Sequence, residues 1–138
     1  GAASATGGRG AASATGDYGA ASATGNYGAA SATGDRGAAS ATGDYGAASA
    51  TGDYGAASAT GDRGAASATG KEGVAASLGI AGKAKGALGC WLVLAEWEAQ
   101  DDSWHRTDVK CGLVDGDTIK PDTYYTLLDG KFVELKDD

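Results

Sequence analysis

A nine-residue repeat fills the first half of the chain and restricts its possible folds more than any other feature. The repeat is Gly-Ala-Ala-Ser-Ala-Thr-Gly followed by two variable residues, and its first seven positions are identical in all eight copies. The copies begin at Gly1, Gly10, Gly19, Gly28, Gly37, Gly46, Gly55 and Gly64. Position 8 is mostly Asp, and position 9 is Tyr or Arg in seven of the copies. The fold of this region must therefore be assembled from near-identical short units.

The composition of the repeat favours strands over helices. Two Gly residues in every nine would cost an α-helix ~2 kcal/mol per repeat relative to Ala, and collagen needs Gly at every third position. Five residues, Ala-Ala-Ser-Ala-Thr, lie between clusters such as Gly-Asp-Tyr-Gly that are typical of tight turns. Each repeat is therefore predicted to form one short strand and one turn.

Small strands of this kind become stable only when identical units stack on one another. Nine residues are too few to close a coil with two turns, so two repeats are expected to form one flattened coil. We predict an all-β fold: a thin parallel β-solenoid (a β-roll) with about 18 residues per coil. The eight repeats then give about four coils, which span ~19 Å at a strand spacing of ~4.8 Å.

The degenerate repeat that follows suggests which side of each strand faces the interior. Val74, Ala76, Leu78 and Ile80 alternate along the chain and match repeat positions 2, 4, 6 and 8. We infer from this that the Ala, Ser and Thr at positions 2, 4 and 6 face inward, and that the two Ala at positions 3 and 5 face outward. The opposite orientation would bury Ala and expose regular ladders of Ala, Ser and Thr.

The chain divides into a solenoid over residues 1–89, degenerate from residue 73, and a C-terminal β capping domain over residues 90–138. Segments 90–97 and 104–111 are predicted strands of an antiparallel meander, with a hairpin turn about residues 100 and 101. This register sets Cys90 opposite Cys111 and Trp97 opposite Trp104. Asp129-Gly130 predicts a further, type I′ hairpin.

The capping domain is expected to cover the open end of the solenoid, because an uncovered row of backbone N–H and C=O groups invites aggregation. Large apolar side chains near the junction should provide its core. These are Val74, Leu78, Ile80, Leu88, Leu92 and Leu94. No comparable cap is visible at the other end, so self-association through the uncapped N-terminal coil is a possible consequence.

Three groups of residues are candidates for binding or cross-linking. Cys90 and Cys111 form either a cross-strand disulfide or a pair of small buried residues. Trp91, Trp97 and Trp104 form either a carbohydrate-binding platform or ordinary core packing. The position-9 side chains form an exposed stripe that is either solubilising or a recognition surface for a protein or glycan partner. The stripe consists of Arg9, Tyr18, Tyr27, Arg36, Tyr45, Tyr54 and Arg63.

Metal and catalytic sites are not indicated by the residue pattern. The Asp of each turn lacks the Gly-Gly-x-Gly run of calcium-binding β-rolls, and Arg in the same turns would oppose a cation. His105, the single histidine, faces Glu96 in the predicted hairpin register, but no nucleophile accompanies this pair. We therefore predict no cofactor, no metal site and no enzymatic activity.

Charge and hydropathy exclude further classes. The net charge is -7, which does not fit a nucleic-acid-binding protein. No stretch approaches the ~20 apolar residues of a membrane-spanning helix. The chain has no Met, so we expect a fragment or a processed product, in which an export signal would not be visible.

The repeat and the segment from Gly79 to Gly89 resemble the head repeats of trimeric autotransporter adhesins, which are parallel β-rolls. The whole chain is similar to repeat proteins of gut bacteria and their phages that have no known activity. Those proteins combine Ala/Ser/Gly-Asp-Tyr repeats with C-terminal segments like residues 86–91 and 119–123. The stacked repeats, the tight turns and the cap favour a rigid stalk or adhesin-like segment, which we expect on an extracellular or virion surface. The alternatives are an ice-binding solenoid and a glycan-binding C-terminal module.

Overall fold

The computed structural model describes residues 2–135, which form fourteen strands and no helix. Each of the eight repeats contributes its Ala-Ala-Ser-Ala-Thr segment as one strand. These strands are β1 (Ala2–Thr6), β2 (Ala11–Thr15), β3 (Ala20–Thr24), β4 (Ala29–Thr33), β5 (Ala38–Thr42), β6 (Ala47–Thr51), β7 (Ala56–Thr60) and β8 (Ala65–Thr69). The remaining strands are β9 (Val74–Ser77), β10 (Lys83–Gly86), β11 (Trp91–Gln100), β12 (Ser103–Leu113), β13 (Tyr125–Leu128) and β14 (Lys131–Glu134).

Successive strands of the repeat alternate between two sheets, which confirms the parallel β-solenoid. Sheet A has the strand order β1-β3-β5-β7-β9-β11-β12, and sheet B has the order β14-β13-β10-β8-β6-β4-β2. Ala2 pairs with Ala20 in a parallel, in-register ladder, so one coil takes 18 residues as predicted. The solenoid has about five turns.

Antiparallel strands follow the solenoid, also as predicted, and they form two separate hairpins that each continue one sheet. β11 pairs in parallel with β9 and antiparallel with β12, whereas β13 pairs antiparallel with both β10 and β14. Both central residues of each hairpin turn have positive φ: 51° and 66° at Asp101 and Asp102, and 53° and 74° at Asp129 and Gly130. This is the backbone geometry of a type I′ turn, so the prediction at Asp129-Gly130 is confirmed.

The predicted orientation of the repeat strands is wrong: the Ala residues at positions 3 and 5 face inward. From Ala12 to Ala68 they are 0–6% exposed, whereas the side chains at positions 2, 4 and 6 lie on the outside. Buried Ser and Thr hydroxyls would each need a hydrogen-bonding partner between the sheets. Outward-facing hydroxyls can hydrogen-bond to water instead, and the interior then contains only the methyl groups of Ala.

The space between the two sheets admits only Gly and Ala in the repeat region. The Gly at position 1 is buried in every repeat from Gly19 to Gly64, and a Cβ added to Gly46 would lie 3.2 Å from the Cβ of Ala41. Contacts of that length are tighter than ordinary van der Waals packing. The sheets therefore approach more closely than the ~10 Å that separates stacked sheets with larger side chains.

Backbone hydrogen bonding continues around the turns between the strands. Gly at position 7 has φ between 115° and 128°, and the residue at position 9 has φ between 54° and 64°. The Gly25 N–H donates to the Thr42 carbonyl of the next coil at 2.9 Å, and the Tyr27 N–H donates to the Asp44 carbonyl at 2.9 Å. The stack is thus held together at its edges as well as through its sheets.

The expected core of the capping region is partly correct. Leu92 and Leu94 are fully buried, and Leu78 and Ile80 are half-buried. Val74 and Leu88 are 37% and 63% exposed, so their assignment to the core is wrong. Val74 occupies repeat position 2, which faces outward, and Leu88 lies in the connection between β10 and β11. The other large buried apolar side chains are those of Cys90, Val114, Ile119, Tyr125 and Leu127.

Candidate recognition surfaces

The Arg and Tyr side chains at position 9 form two columns, one on each edge of the solenoid, and not the single stripe expected from sequence. A coil contains two repeats, so neighbours in a column are 18 residues apart. One edge carries Arg9, Tyr27, Tyr45 and Arg63. The opposite edge carries Tyr18, Arg36 and Tyr54.

Neighbouring side chains within each column contact one another. The rings of Tyr27 and Tyr45 stack with their centroids 5.1 Å apart and their planes at 5°. The guanidinium of Arg36 lies 5.7 Å from the ring of Tyr18 and 5.4 Å from that of Tyr54, and it donates a hydrogen bond to the Tyr18 hydroxyl at 3.2 Å. Exposed cation–π contacts of this kind contribute ~0.5–1 kcal/mol each.

These contacts offset a backbone cost at the same residues. Position 9 is left-handed, a conformation that Gly adopts freely and that is uncommon for Tyr or Arg. The columns therefore combine an unfavourable backbone conformation with side-chain stacking on both edges of the rod.

The Asp side chains at position 8 link adjacent coils. Asp17 Oδ1 accepts a hydrogen bond from the backbone N–H of Asp35 at 3.2 Å, and Asp35 Oδ1 accepts one from Asp53 at 3.3 Å. Each carboxylate therefore bonds the turn above it and not its own turn. Within residues 2–135 there is no cluster of three or more His, Cys, Asp or Glu side chains that could hold a metal ion.

The outer faces of both sheets display three columns of small side chains in the repeat region. Ala at position 2, Ser at position 4 and Thr at position 6 repeat at every strand in exact ladder register. No charged side chain interrupts these columns between β1 and β8, because the charged residues of the repeats lie in the turns.

The two faces differ at the capping end. On sheet A the position-2 column ends in Val74, Trp91 and Leu113, which pair across β9, β11 and β12. On sheet B the same column reaches Lys83, whose Nζ lies 4.4 Å from the centre of the Tyr124 ring, and the next column reaches Lys85 at 4.8 Å from that ring. Sheet A thus ends in apolar side chains and sheet B in cations.

The three Trp residues do not form one platform. Trp91 lies on the outer face of sheet A and is 43% exposed. Trp97 follows a β-bulge and lies at the solenoid edge, where its Nε1 donates to the Leu78 carbonyl at 3.0 Å and the Arg106 guanidinium lies 4.6 Å from its ring. Trp104 is 52% exposed and pairs with Ala99, not with Trp97 as predicted.

Trp97 and Trp104 line a common hollow of about 250 Å³ between the β11–β12 hairpin and β13. Its other walls are mostly apolar and include Leu127 and Leu128. Glu96 also lines this hollow, but its two carboxylate oxygens accept the backbone N–H groups of Asp129 and Gly130 at 2.8 and 2.9 Å. Glu96 therefore anchors the β13–β14 turn.

The predicted pairings of Cys90 with Cys111 and of His105 with Glu96 are not formed, and the alternative of two small buried cysteines holds for Cys90 alone. Cys90 is buried beneath the end of β8, and its Sγ lies 3.2 Å from the Gly70 carbonyl oxygen, whereas Cys111 is exposed and pairs with Val93. Both cysteines are free. The hairpin turns at Asp101 and Asp102, later than expected, so His105 pairs with Glu98 and not with Glu96. The His105 ring lies within hydrogen-bonding distance of Ser103 Oγ, at 3.0 Å.

Asp115 is the one carboxyl group of the described chain with a clearly altered acidity. Its Oδ1 accepts hydrogen bonds from the backbone N–H groups of Asp117 at 2.9 Å and Ile119 at 3.1 Å. These bonds lower the pKa of the Asp115 carboxyl below its ordinary value. The side chain orders the turn that leads to buried Ile119, and it belongs to no cluster of reactive groups.

Comparison with protein-family models, curated proteins and solved structures finds no match to the chain. Within the described residues there is also no helix of the length and apolarity needed to span a bilayer. The candidate recognition surfaces of this molecule are two regular outer faces, two aromatic edges and one hollow lined by Trp97 and Trp104.

Proposed function

We propose that this chain is a rigid, non-catalytic structural segment that acts as a stalk or adhesin-like spacer of a bacterial or phage surface protein. The observation that carries the proposal is the uninterrupted register of both ladders. Every strand from β1 to β8 pairs with its successor in the same sheet residue for residue, without a bulge or shift.

Three sets of contacts favour such a role. The backbone bonds of the turns, the Asp-to-backbone bonds and the Arg/Tyr columns all run along the stack and join adjacent coils. Bending the rod would have to stretch all three on one side. Since every repeat adds the same backbone contacts, length can change by whole repeats without disturbing either ladder.

The proposal is tested by measuring how end-to-end distance scales with repeat number. Variants with four, eight and twelve repeats carry fluorophores at one residue of the first strand and one residue of the β11–β12 turn. Single-molecule energy transfer should report a distance that rises linearly, by ~2.4 Å for each nine-residue repeat, which is half of one strand spacing. A distance that grows only as the square root of length, as in a flexible linker, would refute the rod.

A second candidate function is ice binding, favoured by the outward orientation of positions 2, 4 and 6. An ice-binding surface needs a flat, regular and uncharged array, and the Ala, Ser and Thr columns have this character on both sheets. Ice binding is measured as the thermal hysteresis of the purified chain at millimolar concentration. Thr42→Tyr on sheet A and Thr33→Tyr on sheet B place a bulky side chain in each array, with Arg36→Lys on an edge as the control. Absence of hysteresis in the unmodified chain would exclude this function.

A further inference from the structure

The outer face of sheet A carries no charged side chain in its columns at repeat positions 2 and 4, from β1 to β12. The position-2 column runs from Ala2 to Leu113 by way of Ala20, Ala38, Val74 and Trp91. The position-4 column runs beside it from Ser4 to Val93 and Cys111. We call this surface the uncharged face. In a chain with a net charge of -7, so long a surface without charge is unusual.

The two ends of the uncharged face have opposite shapes. Over β1, β3 and β5 the small side chains leave a shallow groove of about 380 Å³, lined on the outside by Ala2, Ser4, Ala20, Ser22, Ala38 and Ser40. Over β9, β11 and β12 the side chains of Val74, Trp91 and Leu113 project and are 37%, 43% and 40% exposed. One end is therefore a groove and the other a ridge.

We propose that the uncharged face binds the uncharged face of a second copy of this chain, with the long axes of the two solenoids antiparallel. The two-fold axis lies between the two copies and runs parallel to β7, the central strand of sheet A. It places β1 of one copy over β12 of the other, β3 over β11, and β5 over β9. Leu113, Trp91 and Val74 of one copy then lie over Ala2, Ala20 and Ala38 of the other. The ridge of each copy fills the groove of its partner, which makes the interface self-complementary and closed.

The charge and the area of the uncharged face are both consistent with a second copy of the chain as its partner. Because the face is uncharged, two acidic molecules can approach through it without bringing like charges into contact, whereas the corresponding face of sheet B presents Lys83 and Lys85. Seven strands of about five residues cover about 30 Å by about 17 Å, or roughly 1,000 Å² for the two copies together. This lies at the lower limit of specific interfaces, so the dimer should be weak, with a dissociation constant of about micromolar order.

Sedimentation equilibrium from low micromolar to submillimolar concentration tests the proposal. Ala20→Lys places a charge in the groove beneath Trp91, and Ala29→Lys places the same charge at the same repeat position on the outer face of sheet B. Both Ala residues are exposed in identical local sequence, so both variants should fold alike, which circular dichroism melting checks. Ala20→Lys should weaken dimerisation at least roughly tenfold by burying an unpaired cation, and Ala29→Lys should leave it unchanged.

Disulfide cross-linking tests the register. The proposed axis passes along β7, so Ser58 of one copy should face Ser58 of the other. In a Cys111→Ser background, Ser58→Cys should give a covalent dimer on mild oxidation, and Ser49→Cys on β6 of sheet B should not. Both serines are half-buried at the same position of their repeats.

Any one of four outcomes would overturn the proposal. The chain could remain monomeric throughout the concentration range, Ala20→Lys and Ala29→Lys could weaken the dimer equally, or Ser49→Cys could cross-link as well as Ser58→Cys. A dimer unaffected by both lysines would place the contact elsewhere, for example at the free edges of β1 and β2. None of these results bears on the rod, whose length is measured on single molecules.

Discussion

At the scale of the residue, the interior of the solenoid accepts a side chain of one carbon atom and not one of three. Ala57 is 1% exposed and faces the opposite sheet, whereas its neighbour Ala56 faces outward and pairs with Val74. Ala57→Val should lower the free energy of unfolding by ~1–3 kcal/mol because the sheets cannot separate locally. Ala56→Val should change it by no more than ~0.5 kcal/mol, since Val already occupies that column. Urea unfolding measures both, and equal losses would contradict the inward assignment.

The same pair of residues shows why the orientation was predicted wrongly from the sequence. Position 2 is Ala like positions 3 and 5, and only Ser at position 4 and Thr at position 6 make one face of the repeat strand more polar than the other. The prediction followed the degenerate repeat instead of this polarity, and Val74 proved to be an exposed side chain of the uncharged face. The spacing between the sheets decides the orientation, because only Ala fits between them. That spacing depends on the Gly at position 1, and it is a property of two facing strands that a single repeat does not reveal.

At the scale of the element, the turn depends on the Gly at position 7. Gly43 has φ of 126°, and a Cβ there would collide with the backbone carbonyl of Gly25 in the preceding coil. Gly16, in the first coil of sheet B, has φ of 118° but no atom within 4 Å of the same Cβ. Gly16→Ala therefore incurs only the backbone strain of ~1–3 kcal/mol, and Gly43→Ala incurs that strain together with the collision.

Thermal unfolding of the two Ala variants separates these effects. Gly43→Ala should melt at a clearly lower temperature than Gly16→Ala, and both should melt below the unmodified chain. If the two variants melt together, the close stacking of turns is not a source of stability.

The elements themselves were largely predictable, because Gly marks every turn, mostly with Asp beside it, and the repeat has a single strand-forming segment. The eight repeat strands, the 18-residue coil and the Asp129-Gly130 hairpin all follow from such local signals. The hairpin of β11 and β12 was displaced in register because Asp101 and Asp102, and not Gln100 and Asp101, adopt the positive φ of its turn. That displacement separated Cys90 from Cys111 and His105 from Glu96, so every prediction that depended on the register was wrong.

At the scale of the whole molecule, the position-9 residues reveal a mismatch between two periods. In sequence Arg recurs at every third repeat, as Arg9, Arg36 and Arg63, but the coil joins every second repeat. Consecutive Arg residues therefore lie on opposite edges. One column has two Tyr between its two Arg, and the other has its single Arg between two Tyr. A three-repeat sequence block wound on a two-repeat coil avoids Arg–Arg contacts within either column.

This geometry predicts which deletions the fold tolerates. Removing residues 28–36, one whole repeat, leaves the capping end unchanged and begins the solenoid half a coil later. It also leaves the columns Arg63-Tyr45-Tyr18 and Tyr54-Tyr27-Arg9, with no two Arg adjacent. The shortened chain should keep its strand content and the tryptophan fluorescence of its C-terminal strands, with a slightly lower melting temperature because fewer interfaces remain.

Two further deletions separate the effect of the edge columns from that of the nine-residue unit. Removing residues 37–45 also takes out one repeat, but it sets Arg36 next to Arg63 on one edge. This variant should therefore melt at a lower temperature than the variant without residues 28–36. Added salt should reduce the difference between the two melting temperatures because it screens the repulsion between the two Arg. Removing residues 38–42 deletes a strand and leaves its turn, which shifts every earlier coil out of register and should abolish cooperative melting of the repeats. If the two nine-residue deletion variants melt at the same temperature at low salt, the edge columns do not contribute to stability. If the five-residue deletion melts like the other two, the coil is not built from units of nine.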